Sequence, residues 1–114
     1  MEKQIFNAKK ALELVDNDKE LLKILMESFL SETFEASVLE SKIDSRQPEE
    51  AASYVHHTKG AGRQLCAELL AEAGQNLEDV LRGKTQGNIR ELTEKMVSEY
   101  DRAVFAIKNC LERI

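Results

Sequence analysis

An all-α fold, an up-down-up-down antiparallel four-helix bundle with a short N-terminal capping helix, is what this sequence predicts. Three observations carry the prediction. Breakers are scarce, with one proline and five glycines in 114 residues. Aromatic side chains make up only 5%, too few for a sheet that draws on aromatic and β-branched residues. Apolar residues recur instead in steps of three and four, the period of a helix face. Short polar joints separate these amphipathic segments, which obliges successive helices to pack antiparallel.

The first segment, roughly residues 7–15, places Ala8, Ala11, Leu12 and Val15 at helical spacing. Asp16-Asn17-Asp18 then supplies stop and N-cap chemistry, since short polar side chains accept bonds from the free amides of a helix start. A long helix is expected over Lys19 to Asp44, with Leu22, Leu25, Phe29, Ala36, Leu39 and Ile43 as its stripe. Ser45-Arg46-Gln47 breaks the pattern, and Pro48 opens the third helix where its missing N–H costs nothing. A fourth helix, about Cys66 to Arg82, buries Leu70, Ala73, Leu77 and either Val80 or Leu81. After the turn Gly83–Gly87 the last helix runs from about Asn88 to the end. Its stripe is Ile89, Leu92, Met96, Tyr100, Val104, Ile107, Leu111 and Ile114.

Length and composition point to a single domain over residues 1–114, because 114 residues sustain one core but not two. The net charge of -5 argues against a nucleic-acid binder, which needs a basic face to displace phosphate counterions. Met1-Glu2-Lys3-Gln4 leads into no long apolar run, so neither a signal peptide nor a membrane span is expected. Cys66 and Cys110 lack metal-ligand spacing and read as reduced, packed thiols of a cytoplasmic protein. The bundle consumes the apolar stripes, so a monomer is expected.

The third helix, residues 48–64, holds the chemistry. Its core stripe reads Ala51, Val55, Thr58, Gly62 and then Leu65. At about 100° per residue His56 points roughly 150° from that stripe. Gly60 points outward, and Lys59 and Arg63 flank the same outer surface. His57 falls about 110° away on the other side and is expected to be the less exposed of the two. A glycine on an outer helix face costs about 1 kcal/mol relative to alanine. Here it removes the side chain that would block a bulky partner, while a lysine three residues along can reach an anion on the histidine. Adjacent histidines diverge on a helix, so His56 and His57 do not make a metal pair, and no metal site is expected.

The run Val55-His56-His57-Thr58-Lys59-Gly60-Ala61 resembles the signature His-x-x-Lys-Gly of histidine-containing phosphotransfer (HPt) domains. Ile5-Phe6 with Ala11-Leu12 is similar to that family's opening segment, Leu21-Leu22 through Phe29-Leu30 to its second helix, and Leu77-Glu78 to a Leu-Glu or Leu-Gln pair beyond the histidine helix. The resemblance implies that His56 is the phosphoacceptor, that Lys59 favours the phosphoryl charge, and that Gly60 provides clearance. It places Glu78 near the imidazole to orient the ring, and leaves Arg63 as a phosphate or partner contact. It departs from the pattern at His57, where Ser or Thr is usual, at Thr58 in place of leucine, at Cys66 in place of a frequent glycine, and at Arg63 in place of a small residue.

The resemblance further implies partners, namely receiver domains of response regulators or hybrid histidine kinases. In-line phosphoryl transfer needs a divalent metal and an acidic pocket. The sequence shows neither an acidic cluster beside His56 nor a nucleotide loop. No bound cofactor is therefore expected, with Mg²⁺ supplied by the receiver, and the protein is read as a carrier rather than an enzyme. Two other readings stand beside it: a helical adaptor without phosphate chemistry, and a phosphotransfer domain excised from a chemotaxis-type or hybrid kinase.

Overall fold

The computed structural model describes residues 2–114; Met1 lies outside them. Every regular element among the described residues is helical: α1 Ala8–Leu14, α2 Lys19–Ser31, α3 Ala36–Asp44, α4 Pro48–Gln64, α5 Glu68–Leu81 and α6 Ile89–Arg113. Three starts are capped as their sequences require. Asn7, Asp18 and Asn88 accept hydrogen bonds from the amides of Lys10, Leu21 and Glu91 at 3.0–3.1 Å. Asp16 and Asn17, at φ 54° and 63°, take the left-handed turn that ends α1, which short polar side chains tolerate. Gly83, at φ 76°, closes α5.

The expected long helix over Lys19–Asp44 is two helices. Helical backbone stops at Ser31 and resumes at Ala36, although no glycine or proline intervenes. Phe34 is the reason. The chain unwinds to bury its ring, 7% exposed, against Tyr54 and Tyr100, each 5.3 Å away between centroids. Two amides released by the break find tyrosine hydroxyls, Phe34 N–H donating to Tyr100 at 3.2 Å and Glu35 N–H to Tyr54 at 2.8 Å. Aromatic burial together with satisfied donors outweighs four residues of continued helix.

The start of the fourth expected helix also moves. Cys66 has φ 58° and belongs to the turn between α4 and α5, so α5 begins at Glu68. Residues 4–7 bind that turn: Asn7 N–H donates to the Cys66 carbonyl at 2.9 Å and Leu69 N–H to that of Gln4 at 3.1 Å. Both cysteines are free thiols, Cys66 buried and Cys110 half-buried. Burial pushes the Cys66 thiol up from its ordinary pKa, against the lowering influence of Lys10.

The helices form a bundle around Met26, Leu39, Leu65, Leu70, Leu77, Met96 and Ile107, all fully buried. The pairs Glu49–Arg82, His56–Glu78 and Lys59–Gln75 run in opposite directions along α4 and α5, so this pair is antiparallel. Leu81 rather than Val80 completes the buried face of α5. On α6 the buried line is Met96, Ala103 and Ile107, joined by Thr93 and Glu99. Ile114, expected in that line, is half exposed. No described helix is long and apolar enough to cross a membrane.

Candidate functional site

Pro48 occupies the first turn of α4, with Glu49 and Glu50 behind it at the positive end of the helix dipole. The buried side of this helix is broader than the stripe read from sequence, for it includes Ala52 and Lys59 as well as Ala51, Val55, Thr58 and Gly62. Adding those two residues rotates its centre by about 25° toward Lys59. Two expectations change in consequence. His57 is the more exposed histidine, its side chain 69% accessible against 60% for His56. Lys59 does not flank the outer surface; its side chain is 6% accessible.

Lys59 enters the α4–α5 interface because Gly74 faces it. A Cβ at Gly74 would lie 2.9 Å from Lys59 Cβ, closer than carbon atoms pack, so glycine sets the approach of the two helices. The lysine amine then reaches Glu78 Oε1 at 2.8 Å and Gln75 Oε1 at 3.0 Å. Glu78, 7% accessible, also accepts from Arg82 Nε at 2.9 Å and lies 3.1 Å from His56 Nδ1 through both oxygens. Burial alone would raise its pKa, but hydrogen bonds from Lys59, Arg82 and His56 together bring it down from 4.5 to about 2.

An ionised carboxylate can only accept, so Nδ1 of His56 carries the proton and Nε2 is left unprotonated in the neutral ring. That nitrogen has no partner among the described residues, and the ring is mostly exposed. A fixed tautomer with one free basic nitrogen is a nucleophile held ready for an incoming electrophile.

The same network makes a pH prediction. Glu78 binds its proton near pH 4.5 when unfolded and near 2 when folded, so the unfolded state takes up more protons between those values. Its contribution, about 3 kcal/mol, is complete above pH 4.5 and is lost as the pH falls toward 2. Urea titrations of wild type and Glu78→Gln across this range should show a steeper acid loss in wild type.

A shallow hollow of about 400 Å³ adjoins the ring between α2 and α4, and Leu25, Phe29, Gly60 and Ala61 contribute to its walls. Gly60 is exposed, and beyond its chain neighbours and its own stretch of helix backbone no atom lies within 4 Å of where a Cβ would sit. Nothing inside the protein therefore calls for glycine there, and its bareness faces outward. His57 Nε2 lies 2.7 Å from Glu32 Oε2 across the rim of this hollow. Arg63 is exposed, and among the described residues its guanidinium reaches only Gln75, at 3.5 Å.

His56, Lys59 and Glu78 are thus brought together, with Gly60 on the open side and Arg63 at the edge. Sequence reading overlooked Arg82, Gln75, Gly74 and Glu32. Arg82 could have been found as the i+4 partner of Glu78, whereas Gln75, Gly74 and Glu32 acquire meaning only from helix pairing. No three His, Cys, Asp or Glu side chains among the described residues converge as a metal-binding group.

No match was found among curated proteins or among solved structures. The sequence profile of the Hpt domain matches residues 20–114, leaving only the N-terminal segment with α1 outside it. That match spans most of the chain and contains the whole network around His56. The chain therefore belongs to the Hpt domain family, the histidine phosphotransfer modules of two-component phosphorelays.

Proposed function

We propose that this protein accepts a phosphoryl group on His56 from a receiver-domain aspartate and passes it to another. The observation that carries the reading is the pairing of His56 Nδ1 with a buried, ionised Glu78 on an otherwise exposed ring. In the forward step Nε2 attacks phosphorus, the N–P bond forms, the P–O bond to the aspartyl carboxylate breaks, and that carboxylate leaves as an anion. The Nδ1 proton stays on the ring, where Glu78 balances the positive charge of the phosphorylated imidazole. Lys59, on the same carboxylate, is a fixed cation close to the transferred group, and Gly60 leaves room for the partner. Arg63 stands at the edge as a phosphate or partner contact.

The chain supplies a nucleophile and its orientation but no acidic pocket for a divalent ion. Mg²⁺ and the reacting carboxylate belong to the receiver in this scheme, so the protein is a carrier without turnover of its own. The same reading takes the broken helix α2–α3 with α4, α5 and α6 as the up-down-up-down four-helix core that presents His56, with α1 as its cap, in a cytoplasmic monomer.

The test is transfer itself. The protein is mixed with a phosphorylated receiver domain in Mg²⁺ and followed by intact mass. One added phosphoryl group that is acid-labile and stable in base, lost again to unphosphorylated receiver, is the expected result. No transfer from a panel of receivers would leave a helical adaptor as the better description.

A further inference from the structure

We propose that a trough between α3 and α6, separate from the His56 hollow, is a docking site for a basic amphipathic helix of a partner protein. α3 leans on α4, while α6 leans on α5 and α2, so α3 and α6 stand apart along their length. Two hollows of about 530 and 430 Å³ lie between them and share Glu40, Thr93 and Glu94. Together they run along α6 from Ile89 to Arg102, about 20 Å at 1.5 Å per residue, the length of three to four helical turns. They have no lining residue in common with the hollow at His56.

The floor is apolar and half-buried, formed by Ala36 and Ile43 from α3 and by Ile89 and Val97 from α6. The rim is acidic. Glu40 and Asp44 stand on one side, Glu94 and Asp101 on the other. Its two cations are already engaged, Arg90 by Glu94 at 3.4 Å and Arg102 by the buried Glu99 at 2.7 Å. Glu40, Asp44 and Asp101 have no ion-pair partner among the described residues.

A second observation points the same way. Thr93 lines both hollows and is 5% exposed, yet its hydroxyl has no hydrogen-bond partner. A buried hydroxyl left unpaired costs stability; closed off from solvent beneath the trough, this one gains a partner only where a polar group of an occupant shifts the wall enough to reach it. An apolar floor between anionic rims fits a helix with one apolar stripe flanked by Lys or Arg. The acidic rim disfavours nucleic acid, anionic lipid and a second copy of this equally acidic chain. A helix bound here leaves the His56 face clear, so docking and phosphotransfer can occur together.

The experiment uses the full chain labelled with ¹⁵N and a synthetic peptide of Lys and Leu at helical spacing. A peptide of the same composition with its leucines scrambled around the wheel, and one with Glu in place of Lys, are the controls. The expected result is shifts of amides in residues 36–44 and 89–102, none at His56 or Gly60, and no comparable binding by either control. Glu40→Lys with Asp101→Lys should weaken binding roughly tenfold. Val97→Asp should do the same with far-UV CD unchanged; if that variant unfolds, the exposed charge reversals decide alone. Shifts spread over the acidic surface, equal binding by the scrambled peptide, or no shifts would overturn the proposal. So would shifts of these same amides on dilution of the protein alone, which would assign the trough to self-association.

Discussion

Replacing His56 with glutamine should abolish acid-labile phosphate on the protein, whereas His57→Gln should leave it in place. The two rings are neighbours in sequence, and His57 is the more exposed, so exposure alone would choose His57. The difference lies in what each ring touches. His56 Nδ1 meets a carboxylate that is buried, ionised and held by Lys59 and Arg82, which fixes the tautomer and leaves Nε2 as the nucleophile. His57 offers its Nε2 to Glu32, itself exposed, so the nitrogen that would have to attack is occupied by a mobile surface pair worth at most about 1 kcal/mol. Intact mass of both variants after exposure to phosphorylated receiver decides the matter. Phosphate that disappears only in His57→Gln would overturn the assignment of the site while leaving the family membership intact.

Glu78→Ala should lower stability by about 3 kcal/mol or more, a large share of the roughly 5–15 kcal/mol typical of a domain. It leaves the Lys59 ammonium, 6% accessible, with only the neutral Gln75 for company. A buried charge stripped of its counterion is among the costliest single changes. Lys59→Met should cost less, because Glu78 keeps Arg82 and His56 as donors. Urea denaturation should show the midpoint falling in that order with the slope unchanged. Equal losses, or a near-neutral Glu78→Ala, would mean that Lys59 escapes to solvent and that the network is looser than its distances imply.

Much of the fold was legible in advance because helices announce themselves locally. Asn7, Asp18 and Asn88 cap where their side chains can reach back to the third amide beyond, and Pro48 begins a helix where its φ is already correct. The run from Val55 to Ala61 was enough to single out His56. Glu78 does lie beside His56 as the resemblance implied, but the judgements that turned on how closely another element packs failed. The stripe through Phe29 and Ala36 skips a turn at residues 32–35, yet only the arrival of Tyr54 and Tyr100 from other helices makes unwinding there favourable. Lys59 looks like a surface cation on the wheel of α4 alone.

By itself, then, the sequence determined the all-α class and the starts of α1, α2, α4 and α6, and it nominated His56, since these depend on residues within one or two turns of each other. Tertiary structure decided that Lys59 is buried, that Glu78 is anionic, and that Arg82 and Gln75 complete the site. Those outcomes rest on Gly74, which lets α5 come within contact of Lys59 Cβ, and on the low dielectric between the two helices. There a carboxylate with three donors stays charged and an unpartnered one would not. Periodicity along one helix says which side is apolar. It does not say how closely another helix will approach, and that distance sets the electrostatics of the site.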